Sequence, residues 1–247
     1  MKFSDELDFS HRDRKDIYEY VERMGTVDYE EARRALNMEP EAFGMHVTVL
    51  SRDGVIDYEE GDRGDTLGIA FEELGMETYE VDGVDFTIRQ AHEDDLDGLV
   101  AAMRETLDEG RYVVGENIAE KLEHENVLLR RNEVESRVFF VASVRGEVVG
   151  WVHLNHPEHD ALDHTAELTV GVVPDHRGEG IAERLLDRAT RWAEESGYEK
   201  LYNSVPDTNE AAIDFLEAHD WETEAVRECH YRIDGDCVDE VMMAAWL

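Results

Sequence analysis

Val172-Val173-Pro174-Asp175-His176-Arg177-Gly178-Glu179-Gly180-Ile181-Ala182 is the stretch on which the reading of this chain turns. The run Leu168 to Val173 is mostly apolar and reads as a buried strand; Pro174 bounds a turn, and a helical pattern starts at Ile181. Glycines at 178 and 180 let backbone come close to a ligand. The first turn of the new helix aims unpaired N–H groups and the positive end of its dipole at the same place. Strand, glycine turn and helix start in that order make an anion cradle suited to a pyrophosphate. Two other pyrophosphate loops fit less well. A Walker loop ends in Gly-Lys-Ser/Thr, a triplet this chain lacks. A dinucleotide fingerprint needs a third glycine three residues after the second, and Glu183 stands there.

Outward from the cradle the pattern continues regularly. Ile181, Leu185, Leu186, Ala189 and Trp192 share one side of the helix, which stops near Gly197, a glycine C-cap. Leu201 to Val205 reads as a strand, Asn209 to Ala218 as a helix, and about Ala225 to Ile233 and Val238 to Trp246 as two closing strands. Upstream, Phe86 to Arg89 is a strand, a helix is seeded by Asp94 to Asp97, and a second helical stretch runs from about Asn117 to Arg131. Arg137 to Val144 and Val148 to Leu154 are strands joined at the hairpin turn Arg145-Gly146-Glu147.

The spacing Arg-x-x-Gly-x-Ala at Arg177, Gly180 and Ala182, entered through Val-x-Pro, resembles the acetyl-CoA loop of the GNAT superfamily of N-acetyltransferases. The family order β-α-α-β-β-β-α-β-α-β-β fits residues 84–247. A second stretch, Asn209 to Trp221, is similar to the family's Asn-x-x-Ala-x-x-x-Tyr-x-x-x-Gly-Phe: Asn209, Ala212 and the aromatic Trp221 match. Leu216 replaces the tyrosine, which commonly protonates the departing thiolate, and Asp220 replaces the glycine. A thiolate leaves readily near neutral pH, so water or another hydroxyl can serve; Tyr202 and Tyr231 are candidates, though core tyrosines are the plainer reading.

The resemblance implies an α+β GNAT fold, a mixed, mostly antiparallel central sheet flanked by helices. It also implies acetyl-CoA as co-substrate and direct attack of an amine on its thioester. Backbone of Val170, Gly171 and Val172 then pairs with the pantetheine arm. N–H groups of the loop Arg177, Gly178, Glu179, Gly180, Ile181, Ala182 and Glu183 hold the pyrophosphate, and Asn209 binds pantetheine or orders a water. Strand alternation puts Leu168, Val170 and Val172 on one face, leaving Glu167, Thr169 and Gly171 on the other. A carboxylate early in this strand is a general base in several GNAT enzymes, so Glu167 is the expected base. Others use a glutamate in the next strand, at a place occupied here by Ser204.

His153, His156, His159 and His164 crowd one turn between strands. Metal binding is the sharper reading; Pro157 and loose spacing favour a solvated loop beside the acceptor, so no metal is expected. One of these histidines is the rival to Glu167 as base.

The N-terminal third is organised differently. After a tail at 1–11, residues 12–73 read as helix, helix, helix, hairpin: Ile17, Val21 and Met24 mark the first, Asp28 caps the second (Tyr29 to Leu36), and Phe43, Val47 and Leu50 share a face of the third. Val55-Ile56-Asp57-Tyr58 and Thr66-Leu67-Gly68-Ile69 flank a Gly/Asp turn. This order resembles a winged helix-turn-helix domain, with 74–83 as linker. Residues 1–82 carry 9 Lys/Arg against 23 Asp/Glu. The third helix (about Glu39 to Arg52) offers His46 and Arg52 and opens with Glu39 and Glu41, so packing or dimerisation is expected ahead of DNA binding.

Composition bounds the rest. The 247 residues hold 61 acidic and 24 basic side chains, a net charge of −37 spread along the whole chain. Such a chain repels itself in dilute buffer, and salt screens that repulsion, which reads as adaptation to a salt-rich interior. No apolar run reaches membrane-spanning length. Cys229 and Cys237 are too few for a disulfide framework and fit no zinc spacing, which points to a reducing, cytoplasmic location. The acceptor amine, small molecule or protein, is not legible. The rival class is a transcription regulator whose GNAT domain senses acyl-CoA without turnover. A homodimer is compatible with either.

Overall fold

A computed structural model describes residues 9–61, 64–70, 75–81, 83–107, 113–131, 136–157 and 159–247. The expected tail therefore falls largely outside the described residues, as do 71–74 and 82 around the expected linker.

The N-terminal unit runs α1 (Arg12–Met24), β1 (Val27–Asp28), α2 (Tyr29–Ala35), α3 (Pro40–Arg52), β2 (Ile56–Glu59) and β3 (Thr66–Ile69). Its strands pair in the order β1-β3-β2. The Asp28 carboxylate accepts the Glu31 N–H at 2.9 Å and so caps α2. Proline in the first turn starts α3, where its missing N–H costs nothing. Ile17 and Val21 of α1 and Phe43, Val47 and Leu50 of α3 close one core with Ile56 and Leu67. Of the two basic groups on α3, His46 is buried and Arg52 is paired with Asp53 at 2.8 Å, which leaves that helix little to offer a phosphate.

The larger unit comprises β4 (Glu77–Val81), β5 (Val84–Gln90), α4 (Leu96–Leu107), α5 (Val113–Glu125), β6 (Arg130–Arg131) and β7 (Ser136–Val144). It continues through β8 (Glu147–His156), β9 (Thr165–Val172), α6 (Ile181–Ser196), β10 (Lys200–Pro206), α7 (Glu210–Glu217), β11 (Glu222–Ile233) and β12 (Asp236–Trp246). One nine-stranded sheet results, in the order β11-β12-β10-β9-β8-β7-β5-β4, with β6 alongside β7. Every neighbouring pair is antiparallel except β9 with β10. Both faces are covered, which explains the near-continuous apolar run in β7. Val138, Phe140 and Ala142 pack towards Leu185, Leu186 and Trp192 of α6, while Phe139 and Val141 pack towards Leu99 and Met103 of α4 and Leu122 of α5.

Three expectations need correction. The segment read as a linker contains β4, which pairs with β5 from Glu77 opposite Ile88 to Val81 opposite Val84. Its charges hid it: Glu77 lies 3.4 Å from Arg188 and 2.9 Å from Arg191, both on α6, a common way to finish a sheet edge. The second helical stretch ends at Glu125, not Arg131, because Asn126 takes a left-handed φ of 53° and Arg130–Arg131 turns into a strand. Cys229 and Cys237 form a disulfide, brought together by the β11–β12 pairing with their Cα atoms 4.8 Å apart. Cysteine count therefore carries no argument here about redox compartment. No helix among the described residues is long and apolar enough to cross a membrane.

Candidate active site

The parallel pairing of β9 with β10 is short. It holds from Lys200 opposite Thr165 to Tyr202 opposite Glu167, and then the strands part. Beyond Glu167, β9 keeps β8 on one side (Leu154 opposite Leu168 to Gly150 opposite Val172) and turns its other edge to a cleft. β10 meanwhile follows β12 to Pro206 opposite Glu240. An extended ligand can add to such an edge as a strand does.

At the far end of β9 lies the cradle. Arg177 Nε donates to the Val172 carbonyl at 3.1 Å, and His176 Nδ1 meets Glu179 Oε2 at 2.8 Å, so the loop is tied to itself. Gly178 and Gly180 have φ of 82° and 75°, left-handed values that side chains other than glycine's resist. Gly180 is the N-cap of α6, so no capping side chain competes for the N–H groups of Ile181, Ala182 and Glu183. Those groups and the helix dipole remain for an anion.

Cleft and cradle form one cavity of about 460 Å³. Val170, Gly171, Val172, Arg177, Gly178, Gly180, Ile181, Ala182, Glu183 and Asn209, all read from the sequence as cofactor-binding, line it. Glu179 and Glu167 do not. Glu179 is turned to His176. Glu167 sits two residues before Thr169, which does line the cavity, so along an extended strand it lies about 6.6 Å further back. The walls missed by sequence reasoning are Val113 to Gly115 at the start of α5, Asn203 and Pro206 of β10, and Phe215 and His219. The β10 residues carried a signal as the strand entering the Asn209 motif, and Phe215 and His219 lie within that motif; the start of α5 carried none.

The motif itself is structural as much as chemical. Asn209 caps α7, its Oδ1 accepting the Ala212 N–H at 3.3 Å, and is buried against the cavity. Leu216 also lines the cavity and gives it an apolar wall with no hydroxyl at that position. Asp220 takes φ of 64°, a left-handed value that aspartate tolerates better than most residues.

Electrostatics sorts the candidate bases. Burial, then the neighbouring Glu240 charge, raises the Glu167 carboxyl above its ordinary range. Burial also pushes Glu240 upward, but hydrogen bonds from Ser204 and Tyr231 and the charges of His230 and Arg227 outweigh it and hold that carboxyl down. A carboxylate thus does reach the Ser204 position, contributed by β12. Tyr231 donates to Glu240 at 3.2 Å and is pushed up to about 12 by burial and that charge; like Tyr202, it lies off the cavity wall.

The four histidines do not act as one group. His153 is in the core against Phe139, and burial, then the Arg137 and Lys121 charges, lower it to about 3. It stays neutral and cannot serve as the rival base. His156 contacts the Tyr198 hydroxyl at 3.0 Å, and His159 Nδ1 accepts the Ala161 N–H.

Gly171 is fixed by a close approach. A Cβ there would lie 2.8 Å from the Trp151 ring. Gly171→Ala is expected to cost about 1–3 kcal/mol by overpacking, read by urea denaturation, and to weaken ligand binding along the β9 edge.

Comparison with known proteins fits this geometry. Residues 100–221 match the family model described as the acetyltransferase (GNAT) family. An acetyltransferase from Pectobacterium atrosepticum is 35% identical over 86 residues, which is 35% of this chain and 58% of that relative. The chain thus spans less than two thirds of that relative's length. The ribosomal-protein-alanine N-acetyltransferase from Brucella melitensis superposes with a TM-score of 0.53 at 26% identity, covering 65% of this chain and 99% of that one. A Salmonella typhimurium protein described as an acetyltransferase and solved with its cofactor acetyl-CoA superposes at 0.53 with 21% identity, covering 66% and 94%. The larger unit has the GNAT fold.

Proposed function

We propose that this chain is an acetyl-CoA-dependent N-acetyltransferase that moves an acetyl group to a primary amine by direct attack. The observation that carries the reading is the parting of β9 from β10, which opens a free strand edge leading to a glycine-capped helix start. An extended amide-bearing arm ending in a pyrophosphate fits that shape and polarity. When bound, acetyl-CoA supplies an acetyl group activated as a thioester. The β9 edge at Val170 to Val172 orients the arm, the N–H groups of Gly178 to Glu183 hold the pyrophosphate, and Asn209 fixes the wall opposite.

Glu167 is the proposed base. Its raised carboxyl is better matched to neutral pH than an ordinary one, and its setback from the cavity calls for one bridging water. The amine's proton passes through that water to Glu167 as nitrogen bonds to the acetyl carbon; the carbon–sulfur bond then breaks, and the CoA thiolate leaves and takes its proton from solvent. Glu240 keeps its own charge and helps hold the Glu167 carboxyl receptive. The acceptor is open. A screen of small amines and lysine peptides, read as free thiol released from acetyl-CoA, tests the proposal; acetyl-CoA binding with no turnover on any amine would favour a sensor.

The first unit we read as a winged-helix-like domain with a packing or dimerisation role. The net charge of −37 we read as adaptation to a salt-rich interior. On that reading the thermal midpoint rises steadily with KCl from dilute to molar concentration, because screening removes self-repulsion. A midpoint independent of KCl would contradict it.

A further inference from the structure

We propose that His11, Asp13 and His46 form a binding site for a divalent transition ion of the zinc class, tying the start of α1 to the middle of α3. His11 caps α1 and Asp13 lies in its first turn, while His46 comes from a distant part of the sequence and projects from α3. One ligand atom from each falls within 4.8 Å of the others. Asp13 Oδ2 lies 3.4 Å from His46 Nε2 and 3.7 Å from His11 Nδ1, and the two rings are 4.6 Å apart between centroids.

Those separations are informative. A charge-assisted N–H···O bond closes to about 2.7–2.9 Å, so both contacts are loose as hydrogen bonds. Two atoms bound to one tetrahedral ion at about 2.0–2.1 Å lie about 3.3 Å apart; the two Asp13 contacts approach this at 3.4 and 3.7 Å, and the triad as a whole, within 4.8 Å, closes further as the ion binds. His46 is 3% exposed and turns its Nε2 towards Asp13, so one ligand of the triad is held in place by the core.

Two imidazole nitrogens and one carboxylate oxygen select zinc and its neighbours over magnesium and calcium, which prefer all-oxygen shells. The His11 side chain is 52% exposed, so an ion and its completing water reach the site from solvent. His11 Nδ1 also accepts the Asp13 N–H at 3.2 Å. An ion taking that lone pair frees one N–H at an exposed helix start, where water replaces the bond.

The test uses the full chain, titrated calorimetrically with Zn2+ in excess Mg2+ so that surface carboxylates are occupied by the harder cation. One saturable equivalent is expected, with a zinc-dependent rise in thermal midpoint. Both are expected to weaken about tenfold or more in Asp13→Asn and in the exposed His11→Gln, with circular dichroism unchanged. Co2+ in place of Zn2+ should give the visible bands of a four-coordinate ion. Saturable binding unaffected by His11→Gln, loss of it only in His159→Gln/His164→Gln, or no saturable binding at all would each overturn the site. None of these outcomes depends on the acetyl-transfer reading.

Discussion

Ala182→Glu is expected to weaken acetyl-CoA binding by at least about 100-fold, or about 2.7 kcal/mol, without loss of fold. Ala182 lies in the first turn of α6 and on the cavity wall. A glutamate is favourable there for the helix itself, since its charge opposes the dipole. The same carboxylate would stand among the N–H groups meant for the pyrophosphate and repel it. Folding and ligand binding therefore move independently, which glycine substitutions in this loop do not allow: a side chain at Gly180 also meets left-handed backbone and Val81 at 3.3 Å. Calorimetric titration beside a thermal melt reads both quantities. An unchanged affinity would remove the cradle from the account. Arg177→Glu tests the same wall through the loop's own tie, by breaking the bond to the Val172 carbonyl, and weaker acetyl-CoA binding is expected.

Glu167→Gln is expected to lower kcat by about 10²–10⁴-fold while leaving acetyl-CoA affinity near that of the parent. The pH dependence follows from the direction of the shift. With Glu167 as the proposed base the free carboxylate is the active form, so kcat/KM is expected to climb with pH through its raised value and then level. That rising limb should vanish in the variant. The same shift makes a stability statement of opposite sign to the usual carboxylate. Folded Glu167 holds its proton more tightly than the unfolded chain does, so stability falls as pH rises from the ordinary carboxyl range through the raised one. Glutamine removes that cost, and the variant should melt higher at neutral pH while turning over more slowly. A variant with full activity would pass the role of base to water or to Glu240.

What was legible in the sequence was local. Proline, two glycines and an arginine at fixed spacing place the cradle between a strand and a helix, because each residue type answers a backbone demand made within a few residues of itself. Asn209 and the helix it caps were legible for the same reason. The alternation in β9 correctly turned Thr169 towards the cavity, yet it could not show that the strand parts from β10 only after Glu167, which leaves that carboxyl set back. Features created by pairing between distant segments stayed hidden. Glu240 reaches Ser204 because β12 folds back along β10, and the start of α5 closes one wall with Val113 to Gly115, residues that carry no chemical signature. β4 was misread because its charges serve α6 rather than solvent. His153 shows the reverse: a polar residue near the end of β8, grouped with the loop histidines by its type, that belongs to the core.

Calorimetric titration of the wild-type chain with acetyl-CoA, in molar KCl and on protein shown to be folded, tests the central claim most directly. One equivalent bound with micromolar affinity, competed by free CoA and lost in Ala182→Glu, is the predicted result. No heat of binding from folded protein would contradict the claim that the cleft between β9 and β10 is an acyl-CoA site.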